Sequence, residues 1–423
     1  MQKQIHSINC MRGFFFLLMF MSLSSVFGQV YKTEPLSDQI HTIQINKSGN
    51  WLASPVIDIN QGEYIRLSFD RISEYSTDRL RYKVLHCNAD WTLSSISEID
   101  FIDGFNDNLI EDYAVSVNTL VDYTNFGLQI PNDRFSLKLS GNYVILVYEE
   151  DDPDNVLLSA CFSVIDPLLT VAGNITSSTL IDTNREHHQI SFTVNNKGVN
   201  INDPYSDLKV YVRQNERLDN QKSLVKPSII QAGRLVYEQN RNLIFEAGNE
   251  YRRFEIVSHR YNGLRIAHLK YRRPFYYAFV FSDFTRSGKR YIYDEDQNGR
   301  FVVHNTEANN SDSEADYFHV QFSLQSENPV LGNVYVNGNF TNNTFNNKYL
   351  MQYDFEKKEY YLSLLLKQGA YNYQYLTERG NGFTTSILEG NYYETENKYQ
   401  VFVYYRPMGQ RYDSLAGYML IEK

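Results

Sequence analysis

The sequence predicts an all-β protein made of tandem immunoglobulin-like β-sandwich domains. Apolar and polar residues alternate with a period of two in many short runs, and clusters of Gly, Asn, Asp and Pro separate these runs. No segment longer than two helical turns keeps an apolar stripe. The 34 Tyr and 26 Phe agree with this class, because aromatic residues favour strands and buried cores.

Each predicted strand is an apolar or alternating run that turn residues bound. Residues 143–148 (YVILVY) follow Ser-Gly-Asn and precede an acidic turn, which is typical of a buried strand. One short helix is predicted near residues 96–99. The other predicted strands are residues 64–69, 208–212, 275–281, 318–324, 334–337, 360–366, 371–376 and 399–405.

The first 28 residues predict a secretory signal peptide. Lys3 and Arg12 give a positive start, and residues 13–21 are apolar but too short to span a bilayer. Val26 and Gly28 then occupy the −3 and −1 positions of a cleavage site. We therefore expect an exported chain that is cleaved after Gly28, without a lipid-modified cysteine or a direct membrane insertion.

Two polar stretches predict the boundaries between domains. Asp166-Pro167 follows one strand and opens another run, and proline favours an extended link there. Residues 307–316 (EANNSDSEAD) contain no large apolar residue. The predicted sandwiches are therefore residues 29–166, 167–312 and 313–423, each of a length normal for one domain.

Composition and motifs argue against several functions. The net charge of −10 is spread along the chain, and the absence of a Lys/Arg stripe argues against nucleic acid and anionic membranes as partners. The sequence has no HExxH, GxSxG, P-loop or GxGxxG motif. His187 and His188 are neighbours on a predicted strand, so they point to opposite faces and do not favour one metal ion. We expect no enzyme and no cofactor.

One acidic stretch, residues 86–113, has the composition of an active site. A glycosidase needs two carboxylates that face each other across a cleft, but Asp103-Gly104 and Asn106-Asp107-Asn108 are also what tight turns require. The interpretation as turns is favoured, with Trp91 in a core and His86 satisfied on a strand. The carboxylates are Asp90, Glu98, Asp100, Asp103, Asp107, Glu111 and Asp112.

Two further features leave alternatives open. Asp294, Asp296 and Asn298 match positions 1, 3 and 5 of a calcium loop, but position 12 is Asn305, and a hairpin turn between residues 291–293 and 301–303 explains the pattern better. The cysteines that remain after cleavage, Cys87 and Cys161, either form a disulfide or stay as two buried thiols.

Several long runs, in order along nearly the whole mature chain, resemble the type IX secretion system plug protein family of Bacteroidetes, formerly a domain of unknown function. They include HCNADW from His86, FIDGFNDNLIEDY from Phe101 and SGNYVILVYEEDD from Ser140. The similarity continues through residues 248–256, 296–301, 314–324, 364–375 and 389–406.

The resemblance implies a periplasmic protein that is peripheral to the outer membrane. Its partner would be the large outer-membrane translocon β-barrel, whose periplasmic opening it binds and seals while no cargo is engaged. We expect a monomer within this hetero-complex. The family motifs do not map an interface, but exposed structured loops often carry binding. The residues predicted to contact the partner are therefore those of one loop: Phe101, Asp103, Phe105, Asn106, Asp107 and Asn108.

The last predicted segment carries a second resemblance. Residues 334–340 (VYVNGNF) and the runs that follow are similar to glycogen-binding, immunoglobulin-like modules. Those modules hold sugar on exposed tryptophans, whereas here Phe345 is the nearest aromatic residue. The alternative function is therefore a periplasmic or surface glycan-binding protein, which an exposed aromatic platform with converging polar groups would support.

Overall fold

The computed structural model describes residues 29–73 and 79–423, so the predicted signal peptide lies outside the described residues. The strands are short and the α-helices have four residues each. Among the described residues, no helix has the length and hydropathy that a membrane span requires.

The first part of the chain contains β1 to β12 and one helix: β1 (Glu34–Pro35), β2 (Ile40–Lys47), β3 (Val56–Asp58), β4 (Ile65–Arg71), β5 (Leu80–Cys87), α1 (Glu98–Phe101), β6 (Ile102–Gly104), β7 (Asn108–Leu109), β8 (Asp112–Val115), β9 (Thr124–Ile130), β10 (Phe135–Leu137), β11 (Gly141–Glu149) and β12 (Asp152–Ile165).

The rest of the chain contains β13 (Thr170–Thr176), β14 (His187–Asn195), α2 (Pro204–Asp207), β15 (Leu208–Gln214), β16 (Ile229–Gln231), β17 (Arg234–Tyr237), a 3-10 helix (Arg241–Leu243), β18 (Ile244–Glu246), β19 (Arg252–Ile256), β20 (Ile266–Arg272), β21 (Phe275–Val280), β22 (Asp283–Phe284), β23 (Phe301–Val303), α3 (Ser311–Glu314), β24 (Tyr317–Gln325), β25 (Val334–Asn337), a 3-10 helix (Asn339–Thr341), β26 (Gln352–Asp354), β27 (Glu359–Lys367), β28 (Gly369–Arg379), β29 (Gly382–Thr384), β30 (Lys398–Tyr405) and β31 (Ser414–Glu422).

The first sandwich is built from β1 to β12, which pair only with one another among the described residues. One sheet has the order β1-β12-β11-β5-β7, with β3 parallel to β12, and the other has the order β2-β4-β9-β8. Alternate side chains such as Leu67, Phe69, Ile145 and Phe162 point between these sheets and are fully or almost fully buried. The period of two in the sequence produces this core.

The middle sandwich takes strands from two distant parts of the chain. Its first sheet has the order β13-β14-β17-β16, with β18 on β14, and its second sheet has the order β15-β30-β31. Val210 lies opposite Val403 in the antiparallel pair of β15 and β30. Both side chains belong to one buried cluster with Phe192 and Tyr399. The last two strands therefore complete a sandwich that began near residue 170.

A third sandwich, β19 to β29, is inserted between β18 and β30. One sheet has the order β20-β21-β24-β27-β26, with β22 on β24, and the other has β28 between β19 and β23, with β25 and β29 also on β28. Tyr371, Tyr373 and Tyr375 on β28 are buried between the sheets. The aromatic run that begins at Gly369 thus forms β28, the central strand of the second sheet.

The predicted all-β class is confirmed, and each predicted strand except residues 291–293 is present within a few residues. The sheets group the chain differently from the predicted segments 167–312 and 313–423. The polar stretch 307–316 lies inside the inserted sandwich, where residues 307–310 form a largely exposed connection, residues 311–314 form α3 and Asp316 is buried. Polarity marks a solvent-exposed connection, but it does not show which strands pair on either side of that connection.

Buried polar contacts join the three sandwiches. Between the first and inserted sandwiches, Lys367 Nζ lies 2.6 Å from Asp70 Oδ2, and both side chains are almost fully buried. Between the first and middle sandwiches, Asp413 Oδ2 accepts a hydrogen bond from Ala89 N at 3.0 Å, and Lys209 Nζ of the middle sandwich, 2.8 Å away, also donates to it. Because such contacts require precise geometry, they fix how the sandwiches are placed against each other.

Candidate docking surface

The loop predicted to contact the partner begins with α1, whose start is fixed by a capping interaction. Asp100 Oδ2 accepts hydrogen bonds from Ser97 N at 3.1 Å and Ser97 Oγ at 2.8 Å. Phe101, the last residue of the helix, is buried in the core of the first sandwich, with its ring centroid 5.8 Å from His86. Phe101 therefore anchors the loop in the core, and its side chain is not exposed to solvent.

Two buried asparagines hold the tip of the loop. The side chain of Asn106 accepts a hydrogen bond from Val84 N at 2.7 Å and donates one to Val84 O at 2.8 Å, so it continues the edge of β5. Asn108 Nδ2 donates to Phe105 O at 2.5 Å. These bonds satisfy backbone groups that would otherwise lack partners, and they project the Phe105 side chain outward.

Gly104 makes the sharp bend before the tip. Its φ of 117° lies in the left-handed region, and a Cβ at this position would come within 2.2 Å of Arg134 O. Only glycine fits such a bend without strain. The Asp103-Gly104 pair is thus explained by the backbone, as the interpretation of these residues as turns predicts.

The outward residues of the loop are Asp103, Phe105 and Asp107. Phe105 is 81% exposed, which is unusual for a large aromatic side chain. Asp107 accepts hydrogen bonds from Arg81 Nε at 2.6 Å and Tyr148 Oη at 2.8 Å, and the Arg81 bond lowers the pKa of Asp107. Of the six predicted residues, three therefore have exposed side chains, and the other three are buried and hold the loop in place.

Two exposed apolar residues nearby were missed by the sequence analysis. Ile99 on α1 is 78% exposed, and Met408, on the loop after β30, is 97% exposed. Arg411 Nη2 lies 2.8 Å from Asp100 Oδ2, which ties this loop to α1. An apolar residue between turn residues, as in Pro407-Met408-Gly409, is the signal that could have indicated Met408. We call Ile99, Asp103, Phe105, Asp107 and Met408 the exposed ridge.

The other acidic residues of the stretch have structural partners. Asp112 pairs with Arg66 at 3.0 Å, and Asp90 Oδ1 accepts from Thr92 Oγ1 at 2.6 Å. Within residues 29–73 and 79–423, no group of three or more His, Cys, Asp or Glu is placed to hold a metal ion. His86 is buried between Ser94 Oγ at 3.0 Å and Ser140 O at 3.2 Å, and burial lowers its pKa to about 4.

Comparison with known proteins places the first sandwich in a defined family. Residues 40–166 match the family model described as the type 9 secretion system plug protein first domain. The chain belongs to the type 9 secretion system plug protein family. Membership indicates a role related to type 9 secretion and a location in the periplasm or cell envelope. Family membership and the all-β fold together agree with a non-enzymatic structural protein.

A solved structure resembles this plug-family protein over most of its length. It is the crystal structure of a hypothetical protein from Parabacteroides merdae ATCC 43184, with 42% sequence identity and a TM-score of 0.91 over 93% of this chain and 100% of that chain. The BSP domain of a biofilm associated protein aligns over 93% of this chain and 60% of that chain with 6% identity and a TM-score of 0.15, and supports no conclusion. No curated protein matches the chain.

Cys87 and Cys161 are free thiols in this plug-family protein. Cys87 lies opposite Asn142 of β11, and Cys161 lies opposite Val144 on the other side of the same strand. Two strand spacings of about 4.8 Å each separate them, whereas a disulfide needs Cα atoms closer than about 7 Å. Burial raises the pKa of both thiols, that of Cys87 to about 12. The alternative of two unbonded thiols therefore describes the structure.

The stretch around Asp296 forms a buried turn. Asp296 accepts hydrogen bonds from Asn298 N at 2.6 Å and from Tyr251 N, while Asp294 pairs with Arg253 at 2.5 Å. Burial raises the pKa of Asp296 to about 7. The predicted hairpin with residues 301–303 is corrected, since residues 291–293 form no strand and β23 pairs with β28 instead. Of the oxygen atoms that suggested a calcium loop, those of Asp296 accept from backbone N–H groups and Asp294 pairs with the Arg253 side chain, while Asn298 Oδ1 has no partner among the described residues.

The resemblance to glycogen-binding modules predicted a role for the region around Phe345. The Phe345 ring stacks on Phe383 with centroids 3.6 Å apart and packs against the core of the inserted sandwich. On the outer face of this sandwich, Tyr277 stacks on His319 at 5.0 Å, and Phe279 stacks on His268 at 4.2 Å. One face of each of these rings is thus covered by a neighbouring ring.

Proposed function

We propose that this chain is a periplasmic plug that binds and seals the periplasmic opening of the type IX secretion outer-membrane translocon barrel while no cargo is engaged. The observation that carries this proposal is the match of residues 40–166 to the plug protein first domain. After cleavage of the predicted signal peptide, the protein would act in the periplasm, peripheral to the outer membrane.

The contacts between the sandwiches support occlusion as the mode of action. A plug must resist deformation. If flexible linkers alone joined the domains, solute would pass through the gaps between the domains. Here Lys367 pairs with Asp70 across one junction, Asp413 bonds Ala89 N across another, and Arg300 Nη2 lies 2.6 Å from Glu216 Oε1 where the sandwiches meet. Each contact is buried or partly buried, so solvent screens it weakly.

The exposed ridge supports a docking role for one end of the first sandwich and the loop after β30 that is tied to it. Exposed aromatic and large apolar side chains that are held by a rigid base are the usual anchors of protein interfaces. Phe105 meets this description because Asn106 and Asn108 fix the backbone on its C-terminal side. Asp103 and Asp107 add a polar rim, which is also typical of interfaces.

Affinity purification from the host's own detergent-solubilised membranes tests the proposal. The tagged wild-type protein should recover one very large outer-membrane barrel subunit in near-stoichiometric amount. Phe105→Asp should lower that recovery about tenfold or more, because a central aromatic contact contributes more than ~1.4 kcal/mol. Phe355→Asp is the matched control, since Phe355 is 77% exposed but lies on the inserted sandwich after β26.

The outcomes separate the proposed plug from the alternative function. Equal recovery with Phe105→Asp and Phe355→Asp would contradict the ridge as the docking site while leaving the plug intact. Recovery of no membrane protein by the wild type, together with retention on an α-glucan column, would favour the glycan-binding protein.

A further inference from the structure

A cavity of about 160 Å³ lies where the three sandwiches meet. Its lining includes Asn46 and Trp91 from the first sandwich, Arg213 and Phe402 from the middle sandwich, and Arg300 from the inserted one. A cavity of about 150 Å³ holds one benzene ring. The space thus accommodates a single small ligand or one side chain, and all three sandwiches must be in place to form it.

Arg213 is the unusual charge in this cavity. Its side chain is more than nine-tenths buried, and Nε donates to Gln221 Oε1 at 2.5 Å. The guanidinium carbon lies 4.8 Å from the Phe402 ring centroid and 5.8 Å from the Trp91 ring centroid. Within the described part of the chain, no carboxylate forms an ion pair with Arg213, and neither terminal nitrogen of its guanidinium has a hydrogen-bond partner.

No neighbouring carboxylate forms an ion pair with Arg213 among the described residues, and Glu216 acts on its charge only from a distance. Glu216, the nearby acid, accepts from Arg300 Nη2 at 2.6 Å and also bonds Ser54 Oγ. That pair leaves the cavity with one uncompensated positive charge. A buried charge is costly unless a partner compensates it, and the cation–π contacts with Phe402 and Trp91 offset only part of that cost.

Two further polar atoms of the lining residues are buried without a partner among the described residues. They are Trp91 Nε1, a donor, and Asn46 Oδ1, an acceptor. Trp91 also has a φ of 66°, which is rare for a bulky residue and is imposed by the tight turn from Asn88. The turn therefore places an indole N–H among the residues that surround the cavity of Arg213.

We propose that this cavity binds a carboxylate that is carried on a small apolar group. The planar fork of Arg213 matches a carboxylate in a bidentate arrangement, the indole of Trp91 supplies a further donor, and Tyr31 and Phe301 supply apolar walls. The carboxylate could belong to a free small acid or to the C-terminus of a peptide. The inference stands on the cavity and its charge, independently of the plug function.

Calorimetry with benzoate and its neutral isostere benzamide tests the proposal on the full-length mature protein. Benzoate should bind saturably and raise Tm, and benzamide should bind at least tenfold more weakly. Arg213→Gln should abolish this preference for benzoate. Leu218→Trp, which fills the exposed edge of the cavity without touching Arg213, should weaken benzoate binding while the protein stays folded.

Each outcome bears on the proposal. Equal binding of benzoate and benzamide, or unchanged benzoate binding in Leu218→Trp, would overturn it, because the binding would then lie elsewhere or ignore charge. The peptide acetyl-Gly-Gly-Phe and its C-terminal amide identify the source. Displacement of benzoate by the free acid alone supports a peptide terminus, whereas binding of benzoate without displacement supports a free acid.

Discussion

At the scale of single residues, the side chains of the acidic stretch that suggested an active site have structural roles. Asp100 caps a helix, Asp107 pairs with Arg81, and His86 lies buried between two oxygen atoms. The sequence predicted turns at Asp103-Gly104 and Asn106-Asp107-Asn108 and a satisfied His86, because Asp, Asn and Gly are what turns require, but it did not predict the helix cap of Asp100 or the partner of Asp107. It could not predict that Asn106 would bond both backbone groups of Val84, since that contact depends on β5 lying beside the loop.

The buried His86 predicts a defined loss of stability in acid. Its pKa is about 4 in the folded protein, against 6.5 for the free side chain, so the unfolded chain binds the proton more tightly. Stability from this group is complete above pH 6.5 and falls as the pH drops towards 4. Between pH 7 and pH 5 the loss should be about 2 kcal/mol.

Urea unfolding at pH 7 and pH 5 measures this effect in the wild type and in His86→Phe. The two tryptophans, Trp51 and Trp91, both precede residue 166, so their fluorescence reports unfolding of the first sandwich. The difference in unfolding free energy between the two pH values should be about 2 kcal/mol smaller in His86→Phe. An identical difference in both proteins would show that His86 is not buried in its neutral form.

At the scale of elements, strands were predictable and their partners were not. The alternating runs gave β4, β11, β15, β24 and β28 within a few residues, because the period of two is a local property. The pairing of β15 with β30 joins residues that the whole inserted sandwich separates along the chain, and no local pattern records it. The hairpin expected before β23 failed for the same reason, since the partner of β23 is the distant β28.

This arrangement predicts which pieces of the chain fold alone. Residues 249–393 contain β19 to β29, which pair with one another, so this piece should give a dispersed amide NMR spectrum. Residues 313–423 contain β30 and β31 without β15, and they lack β19 to β23, so this piece should give a collapsed spectrum. A dispersed spectrum from residues 313–423 would contradict the insertion.

At the scale of the whole molecule, buried charge pairs hold the sandwiches together. Asp70 of the first sandwich also accepts a hydrogen bond from Tyr317 Oη at 2.6 Å, and Lys367 Nζ lies 4.1 Å from the Tyr123 ring centroid. The contact thus combines an ion pair, a hydrogen bond and a cation–π interaction across one junction. The sequence around Asp70 or Lys367 does not predict this ion pair, because the two residues lie in different sandwiches.

Removal of one partner of this pair should be costly. Lys367→Met leaves Asp70 buried without its cation and should lower the free energy of unfolding by about 3–5 kcal/mol. Lys358→Met is the matched control, because Lys358 pairs with Glu327 at 2.6 Å on the surface, where the loss of an ion pair should change the free energy of unfolding far less than the loss of Lys367. Urea unfolding followed by circular dichroism compares the two variants. Equal losses of unfolding free energy would refute the claim that the Asp70–Lys367 pair holds the first and inserted sandwiches together.

The most direct test of the proposed plug is the entry of a large antibiotic into cells that lack this protein. The account predicts that deletion makes the outer membrane permeable, because an idle translocon barrel stays open. Wild-type protein and Phe355→Asp should restore the barrier, and Phe105→Asp should fail to restore it. Unchanged permeability in the deletion strain would contradict sealing of the translocon as the function of this protein.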